Sequence, residues 1–321
     1  MEASEGFLFD LYRGTTHDGP GMRSTAFFKG CPLHCAWCHN PESISTKQQI
    51  WWEQAQCIGC LQCVSSCPHD ACQATEQGIY INEHACVQCG NCIKTCPTGA
   101  LSFIGKYRST VDLMKELEKY APYYKKYGGG ITVSGGEPLL QYPFVETLFR
   151  MASEKGIHTA LDTCGAVSYK CFEHVLPFTN CVLFDIKLMD SQLHKQYTGS
   201  DNKEILANLL HIAEDIRAGR FHCDIWIRTP LIPGITATET NMISISEFIL
   251  NNLSDVVSRW ELCTFNKACS SKYSRLHQTW TCADTPLVTH SDVAKIRSVL
   301  SNYGFPSDKL VISGMIVDDL G

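Results

Sequence analysis

The sequence predicts an α/β protein, a partial or complete (β/α) barrel built on a parallel sheet and interrupted early by a small cysteine-rich segment. Three observations lead there. Short β-branched or aromatic runs alternate with longer stretches of helical period along most of the chain. Polar residues directly follow each of those runs, as they do where strand ends converge on the rim of a barrel. Between positions 54 and 102 the composition changes to two tandem sets of four closely spaced cysteines.

In chain order, the first strand is 24–28, followed by Cys31 and its neighbours. Strand 131–134 leads to Gly136 and Glu137, 158–161 to Asp162, 181–184 to Asp185 and Lys187, 224–227 to Arg228, and 259–263 to Asn266; 309–313 is a seventh run. A single polar residue after a strand is most often a helix cap or a solvated turn. Six in succession argue for one shared rim. Between the strands, Phe144, Leu148 and Met151, and again Ile205, Leu209, Ile212 and Ile216, recur at helical spacing, so each set forms an apolar face that covers the sheet. Asp201 with Glu204, and Thr238 or Glu239, mark helix starts; Gly156 and Gly219 mark stops. The cysteine-rich segment, 54–102, reads as an insert, which leaves a discontinuous barrel of 1–53 and 103–321.

With 321 residues, 44% of them hydrophobic, the chain is long enough for a substantial core, which excludes a disordered or fibrous protein. Lys and Arg number 27 against 33 Asp and Glu, and the net charge of -6 offers no basic field for nucleic acid. No run of 18 apolar residues occurs, and residues 1–14 are acidic rather than signal-like, so a cytoplasmic protein with no membrane partner is expected. Nineteen cysteines in a chain of this size point to metal or redox chemistry rather than a disulfide framework. Twelve lie between positions 31 and 96, which puts the chemistry in the front third. Cys164, Cys171, Cys181, Cys223, Cys263, Cys269 and Cys282 read as small buried or half-buried residues.

Each set in the insert has the spacing CxxCxxCxxxCP, in which three thiolates surround one iron-sulfur cube and the fourth reaches the other cluster. Cys57, Cys60, Cys63 and Cys96 are therefore expected to hold one [4Fe-4S] cluster, and Cys86, Cys89, Cys92 and Cys67 a second. Structural zinc is the competing reading, but its sites usually pair two CxxC knuckles across a longer spacer. Cys72 has no place in the repeat and reads as packing. Upstream, Cys31, Cys35 and Cys38 form CxxxCxxC with no fourth cysteine before the insert. Three thiolates on a four-iron cube leave one iron open, the mark of a catalytic metal site. An open iron can chelate the amino and carboxylate groups of S-adenosylmethionine, and one electron from the cluster then breaks the sulfonium carbon-sulfur bond to give a 5'-deoxyadenosyl radical.

CxxxCxxC with Trp37 before the last cysteine resembles the radical S-adenosylmethionine superfamily. The flanking Asp18-Gly19-Pro20-Gly21-Met22-Arg23 and His39-Asn40-Pro41-Glu42 are similar to those of the enzymes that activate glycyl radical enzymes, the family of the pyruvate formate-lyase activase. Ser134-Gly135-Gly136-Glu137-Pro138 resembles the family's motif for the cofactor's amino end, Asp162-Thr163-Cys164-Gly165 and Asp185-Ile186-Lys187 its later aspartate motifs, and Arg228 to Gly234 its arginine motif. The resemblance implies a partial (β/α)6 TIM-like barrel with an inserted bacterial ferredoxin-like domain, as in the subgroup that includes activases of glycerol dehydratase and choline trimethylamine-lyase. It implies a radical oxidoreductase that takes a hydrogen from a glycine α-carbon of a partner glycyl radical enzyme, with flavodoxin or ferredoxin as electron donor and three [4Fe-4S] clusters in all. Trp37, Gly135, Gly136, Glu137, Asp162, Asp185, Lys187, Arg228 and Asn266 are the implied cofactor contacts, with Asn266 standing where many members have histidine.

The glycines allow close backbone approach and Glu137 offers an acceptor to an ammonium group. Asp162 and Asp185 repel each other unless a cation lies between them, which calls for a bound monovalent cation of the kind known in relatives, while Lys187 and Arg228 bring positive charge. His17, Asp18 and the Gly-Pro-Gly turn are expected at the open side where a protein substrate enters, and His34 and His39 beside the cluster rather than on it. Two other readings remain: a radical enzyme that modifies a peptide or small molecule using auxiliary clusters, and an electron carrier, which leaves the CxxxCxxC set unexplained.

Overall fold

Strands covered on both faces must carry side chains suited to both, and the runs singled out above do so. The computed structural model describes residues 5–319 and places the runs in one nine-stranded sheet; the first four residues of the acidic N-terminal stretch lie outside the described residues. The strands are β1 (Glu5–Thr15), β2 (Arg23–Phe28), β3 (Gln49–Trp52), β4 (Cys72–Thr75), β5 (Gly78–Ile81), β6 (Leu101–Ile104), β7 (Lys106–Ser109), β8 (Gly130–Gly135), β9 (His158–Thr163), β10 (Cys181–Asp185), β11 (Asp224–Leu231), β12 (Val257–Thr264) and β13 (Leu310–Ser313). The large sheet has the order β13-β12-β11-β10-β9-β8-β2-β1-β7. All ladders from β2 to β13 are parallel, while β1 and β7 extend the sheet antiparallel. The order ends on β13 and β7, so among the described residues the sheet is open, with no pairing between its two edge strands.

All seven expected strands are present, β11 and β12 extending furthest beyond the expected limits. The sequence reading did not foresee β1 or β7. Both pair antiparallel at the outer end of the sheet, where exposed residues such as Asp10, Tyr12 and Tyr107 break up the apolar pattern that marks inner strands. The expected helix faces are in place. Phe144 and Leu148 are buried in helix Tyr142–Glu154, and Ile205, Leu209 and Ile212 in Lys203–Arg217, with Met151 and Ile216 partly covered. Thr238 caps Glu239–Asn252 by accepting from the Asn241 amide at 3.3 Å. No helix among the described residues is long and apolar enough to cross a membrane.

Period-two alternation divides each inner strand between two environments. One face joins the helices in the main core, which includes Ala26, Phe28, Ile131, Val133, Leu161 and Phe184. On the other face, Ala160, Cys181 and Leu183 form a separate small cluster with Trp226. Toward the strand ends that face turns polar. Thr25 pairs with Thr132 and Phe27 with Ser134; Leu183 pairs with Asp162 and Trp226, and Asp185 with Arg228, which pairs in turn with Glu261.

The cysteine-rich segment stands on the antiparallel ladder of β3 with β6 and contains the β4–β5 hairpin, two short helices, Gln62–Ser65 and Asn91–Thr95, and its own apolar cluster. Its repeat extends to the backbone. Left-handed residues recur 29 positions apart, Gly59 with Gln88, Leu61 with Gly90, and Asp70 with Gly99. The equivalent Ser66 and Thr95 hydroxyls meet at 3.0 Å. Leu61, Gln88 and Asp70 hold a conformation costing about 1–2 kcal/mol per side-chain-bearing residue, and such strain concentrates where a ligand fixes a loop.

The Trp260 side chain is fully buried, its Nε1 donating to Thr229 Oγ1 at 3.0 Å and its ring edge-on to Phe305. Trp260→Ala is expected to cost about 3–5 kcal/mol, measured as a lower urea midpoint; an unchanged midpoint would contradict this account of the β12 core.

Candidate active site

The loop after β2 is tied down on two sides. Gly30 and Cys31 amides donate to the Ser43 and Ile44 carbonyls at 2.6 and 3.1 Å, and those of His34 and Ala36 to Thr198 and Tyr197 at 2.7 and 2.9 Å. The buried Lys29 ammonium fastens the loop's far end, donating to the Glu42 carbonyl at 2.5 Å and Gln49 Oε1 at 2.9 Å. Held in this way, Cys31, Cys35 and Cys38 line a cavity of about 520 Å³ with free thiols. Burial pushes the Cys35 thiol up to about 11 and Cys38 higher still. Cys31 is held below the ordinary thiol value, chiefly by a hydrogen bond from the Cys164 thiol. Trp37, Leu33, His39 and Asn40 line the same cavity, and His39 Nε2 hydrogen-bonds the Asn266 carbonyl at 3.1 Å.

Opposite lies the turn after β8. The Gly136 amide donates to the Phe28 carbonyl at 2.9 Å and that of Glu137 to the Gly30 carbonyl at 2.7 Å, so the turn rests on the end of β2. Gly135 has φ +115°, and a Cβ on Gly136 would lie 2.1 Å from the Gly30 oxygen, so neither position tolerates a side chain. Ser134, Gly135 and Gly136 line the cavity. Glu137 does not. It is fully buried, and its carboxylate accepts from the Leu139 amide at 3.1 Å, Thr163 Oγ1 at 2.9 Å and the Cys164 amide at 2.8 Å. The expected ammonium acceptor is instead a brace between the ends of β8 and β9.

Asp162, Asp185, Lys187, Arg228 and Asn266 all line the cavity, as expected. Asp162 accepts from Ser134 Oγ at 2.6 Å and lies 3.4 Å from Arg228 Nη1; Lys187 Nζ contacts Asp185 directly. Each carboxylate thus has a side-chain cation beside it, Arg228 being shared, so their repulsion alone does not demand a bound monovalent cation. Sequence reasoning missed Glu261, 3.4 Å from Arg228 Nε, and Cys263, whose sulfur accepts from Arg228 Nη2 at 3.5 Å. The signal was present: Glu261 and Cys263 share one face of β12, and Glu261 is in register with Arg228.

The turn at 18–21 lies apart from the cysteine loop. It packs where β2 and β8 begin, at the opposite end of the strands from the cysteines. Asp18 Oδ2 accepts from Thr25 Oγ1 and its carbonyl from Thr132 Oγ1, both at 2.7 Å, and Arg23 Nη1 donates to the Pro20 carbonyl at 2.9 Å. A turn that must precede β2 starts at the wrong end of the strand to reach the rim; of this stretch only His17 lines the cavity.

Within the insert, one small cavity is lined by Cys57, Cys60, Cys63 and Cys96, and another by Cys67, Cys86, Cys89 and Cys92 together with Cys72.

Burial raises the Asp162 carboxyl to about 6, with Asp185 acting in the same direction and Arg228 opposing. A carboxyl whose folded value is raised binds its proton more tightly in the folded state, so its contribution to stability is greatest below pH ~4 and is lost as pH rises through about 6. Thermal melts of the ligand-free protein at pH 4.5 to 7.5 should therefore show Asp162→Asn gaining on the wild type as pH rises; parallel curves would contradict the raised carboxyl.

The profile of the radical SAM superfamily matches residues 25–243. The (2S)-3-sulfopropanediol dehydratase activating enzyme of Klebsiella oxytoca is 38% identical over 280 residues, 86% of each chain. The trans-4-hydroxy-L-proline dehydratase activating enzyme of Clostridioides difficile is 42% identical over 236 residues, 73% of this chain and 76% of that one. Among solved structures, a radical SAM methyltransferase from Sphaerobacter thermophilus superposes with a TM-score of 0.53 at 12% identity, over 97% of this chain and 75% of that one, a likeness of fold alone. The cysteine loop, the polar rim and these matches together place the chain in the radical SAM superfamily, with close relatives named as activating enzymes.

Proposed function

We propose that this protein is an activating enzyme that generates a radical for transfer to a glycine of a partner glycyl radical enzyme. One observation carries the reading: three free cysteines on the loop after β2 open into the same cavity as the Ser134 to Gly136 turn, Asp162, Asp185, Lys187 and Arg228. The donor set suits a four-iron cluster with one open iron, and the adjoining charged rim suits a ligand with both ammonium and carboxylate groups. A cluster and S-adenosylmethionine held there would supply one-electron cleavage of the sulfonium bond and, from it, radical abstraction of a hydrogen from the target glycine. The chain's own residues position and shield this chemistry: Arg228 and Lys187 offer donors to the ligand's carboxylate, the glycine turn admits its amino end, and Trp37 and Leu33 keep water from the cysteine loop.

Two further [4Fe-4S] clusters in the insert complete the proposal. The two cysteine-lined cavities support them, each gathering three cysteines from one half of the repeat and the fourth from the other. Clusters held there would supply a route for electrons from a flavodoxin- or ferredoxin-type donor to the cysteine loop after β2. The relatives' names support an enzyme partner for the activation, and nineteen free cysteines support work in the reducing cytoplasm.

The protein is expected to bind about twelve iron atoms. Cys31→Ala, Cys35→Ala or Cys38→Ala should each remove roughly one third of the iron and abolish S-adenosylmethionine cleavage under dithionite; retained cleavage refutes the catalytic cluster. With the partner encoded beside the gene, anaerobic turnover should give 5'-deoxyadenosine and a persistent glycyl radical doublet by electron paramagnetic resonance, with deuterium from the partner's glycine α-carbon moving into the 5'-deoxyadenosine. A modified peptide or small molecule in place of the protein radical would replace the activase reading with the modifying-enzyme one.

A further inference from the structure

Beyond β12 the chain forms a short helix, Ser270–Arg275, and a loop that ends near Cys282. Neither carries a motif, and the sequence reading assigned them no role. In the structure this segment grips the cysteine loop from outside. Lys272 Nζ donates to the His39 carbonyl at 3.0 Å and Asn40 Oδ1 at 2.9 Å, and pairs with Glu42 at 2.6 Å. Tyr273 Oη donates to the Cys38 carbonyl at 2.9 Å. Trp280 Nε1 and Thr281 Oγ1 both donate to the Ala36 carbonyl, at 3.1 and 3.3 Å. The rings of Phe265, Trp280 and Tyr273 pack in series, with centroids 5.6 and 5.5 Å apart.

The other side of the segment rests on β3, the residue after it and the β4–β5 hairpin. Arg275 pairs with Glu53 at 2.5 Å and lies 5.0 Å over the Trp51 ring. His277 stacks on Trp52 at 6.1 Å and meets Tyr80 edge-on at 5.2 Å. The grip on the cysteine loop is thus braced against the base of the cysteine-rich segment.

This grip has an electronic consequence. In a planar trans peptide the carbonyl and the next N–H point in opposite directions. Lys272 holds the His39 carbonyl outward, so the N–H of the same peptide, that of Asn40, turns to the opposite side, toward the cysteine loop. Hydrogen bonds to cluster sulfurs and nearby positive charge both stabilise the more negative, reduced form of an iron-sulfur cluster.

We propose that Lys272 and Tyr273 are positioning residues that raise the reduction potential of the cluster held by Cys31, Cys35 and Cys38, by fixing its loop so that peptide N–H groups face the thiolates. The inference rests on the radical-generating function proposed above and adds residues to that site.

The test is an anaerobic redox titration of the reconstituted full-length protein, followed by electron paramagnetic resonance. The catalytic cluster is identified as the signal that changes on addition of S-adenosylmethionine. Lys272→Met should keep its iron yet reduce only at lower potential, the reduced fraction at a fixed poise falling about tenfold, which is about 59 mV for a one-electron couple. Tyr273→Phe should shift the same signal in the same direction by less, and Lys272→Arg should restore it. An unchanged potential in iron-replete Lys272→Met, or equal shifts in the signals of the insert, overturns the proposal. Should Lys272→Met fail to hold its iron, Tyr273→Phe, which removes one oxygen and leaves the ring packing intact, decides by the same criterion. A wild type with no S-adenosylmethionine-responsive signal would overturn the radical-generating function, and this inference with it.

Discussion

The site depends on one backbone junction, where the turn after β8 lies across the end of β2. Two hydrogen bonds, from the Gly136 amide to the Phe28 carbonyl and from Glu137 to Gly30, join the start of the cysteine loop to the start of the polar rim. The approach is close enough that a methyl group on Gly135 would collide with the β2 backbone at Phe28, and one on Gly136 with the Gly30 carbonyl. Glu137 locks the junction from below, since its buried carboxylate also takes the Thr163 hydroxyl and the Cys164 amide at the end of β9. Three strand ends are thereby fixed relative to the cysteines, which is what chemistry with a reactive radical requires, because a small displacement of the target carries a large rate penalty.

The rim gathers Asp162, Asp185 and Glu261 around Lys187 and Arg228, with all five side chains largely buried. Removing so many charges from water costs more than their mutual attraction commonly returns, so such a network is a poor source of stability. It is better understood as a preformed environment for a charged ligand. An excess of carboxylates suits S-adenosylmethionine, which carries a sulfonium and an ammonium against one carboxylate. The raised Asp162 carboxyl follows from the same balance, because Arg228 is shared with Glu261 and Cys263 and only partly offsets desolvation.

In the cysteine-rich segment the same economy holds at the level of the backbone. Leu61, Gln88 and Asp70 adopt left-handed conformations that side chains disfavour, at positions the repeat makes equivalent to Gly90, Gly59 and Gly99. Chain geometry here brings four cysteines of the repeat to each of two small cavities, against the local preference of the backbone. The segment also braces the loop at 270–281, so the front third of the chain and its last third meet at the cysteine loop.

The sequence by itself determined the parallel strands, the helix faces and the identity of the chemistry. Apolar periodicity and cysteine spacing are local properties, and a CxxxCxxC set or a tandem CxxCxxCxxxCP repeat limits which centres the thiolates can hold whatever surrounds them. Asp162, Asp185, Lys187 and Arg228 were legible for a related reason, since residues at the ends of parallel strands converge. Tertiary structure alone decided the rest. It turned Glu137 away from the cavity because the turn's bond onto Gly30 leaves that side chain at the amides of the neighbouring strand end, and it sent turn 18–21 to the far end of the strands because the direction of β2 does. It also brought Lys272, Tyr273 and Trp280 onto backbone carbonyls more than 230 residues away in sequence. A carbonyl is the same in every residue, so the pattern of side chains holds no trace of which one a distant donor will find.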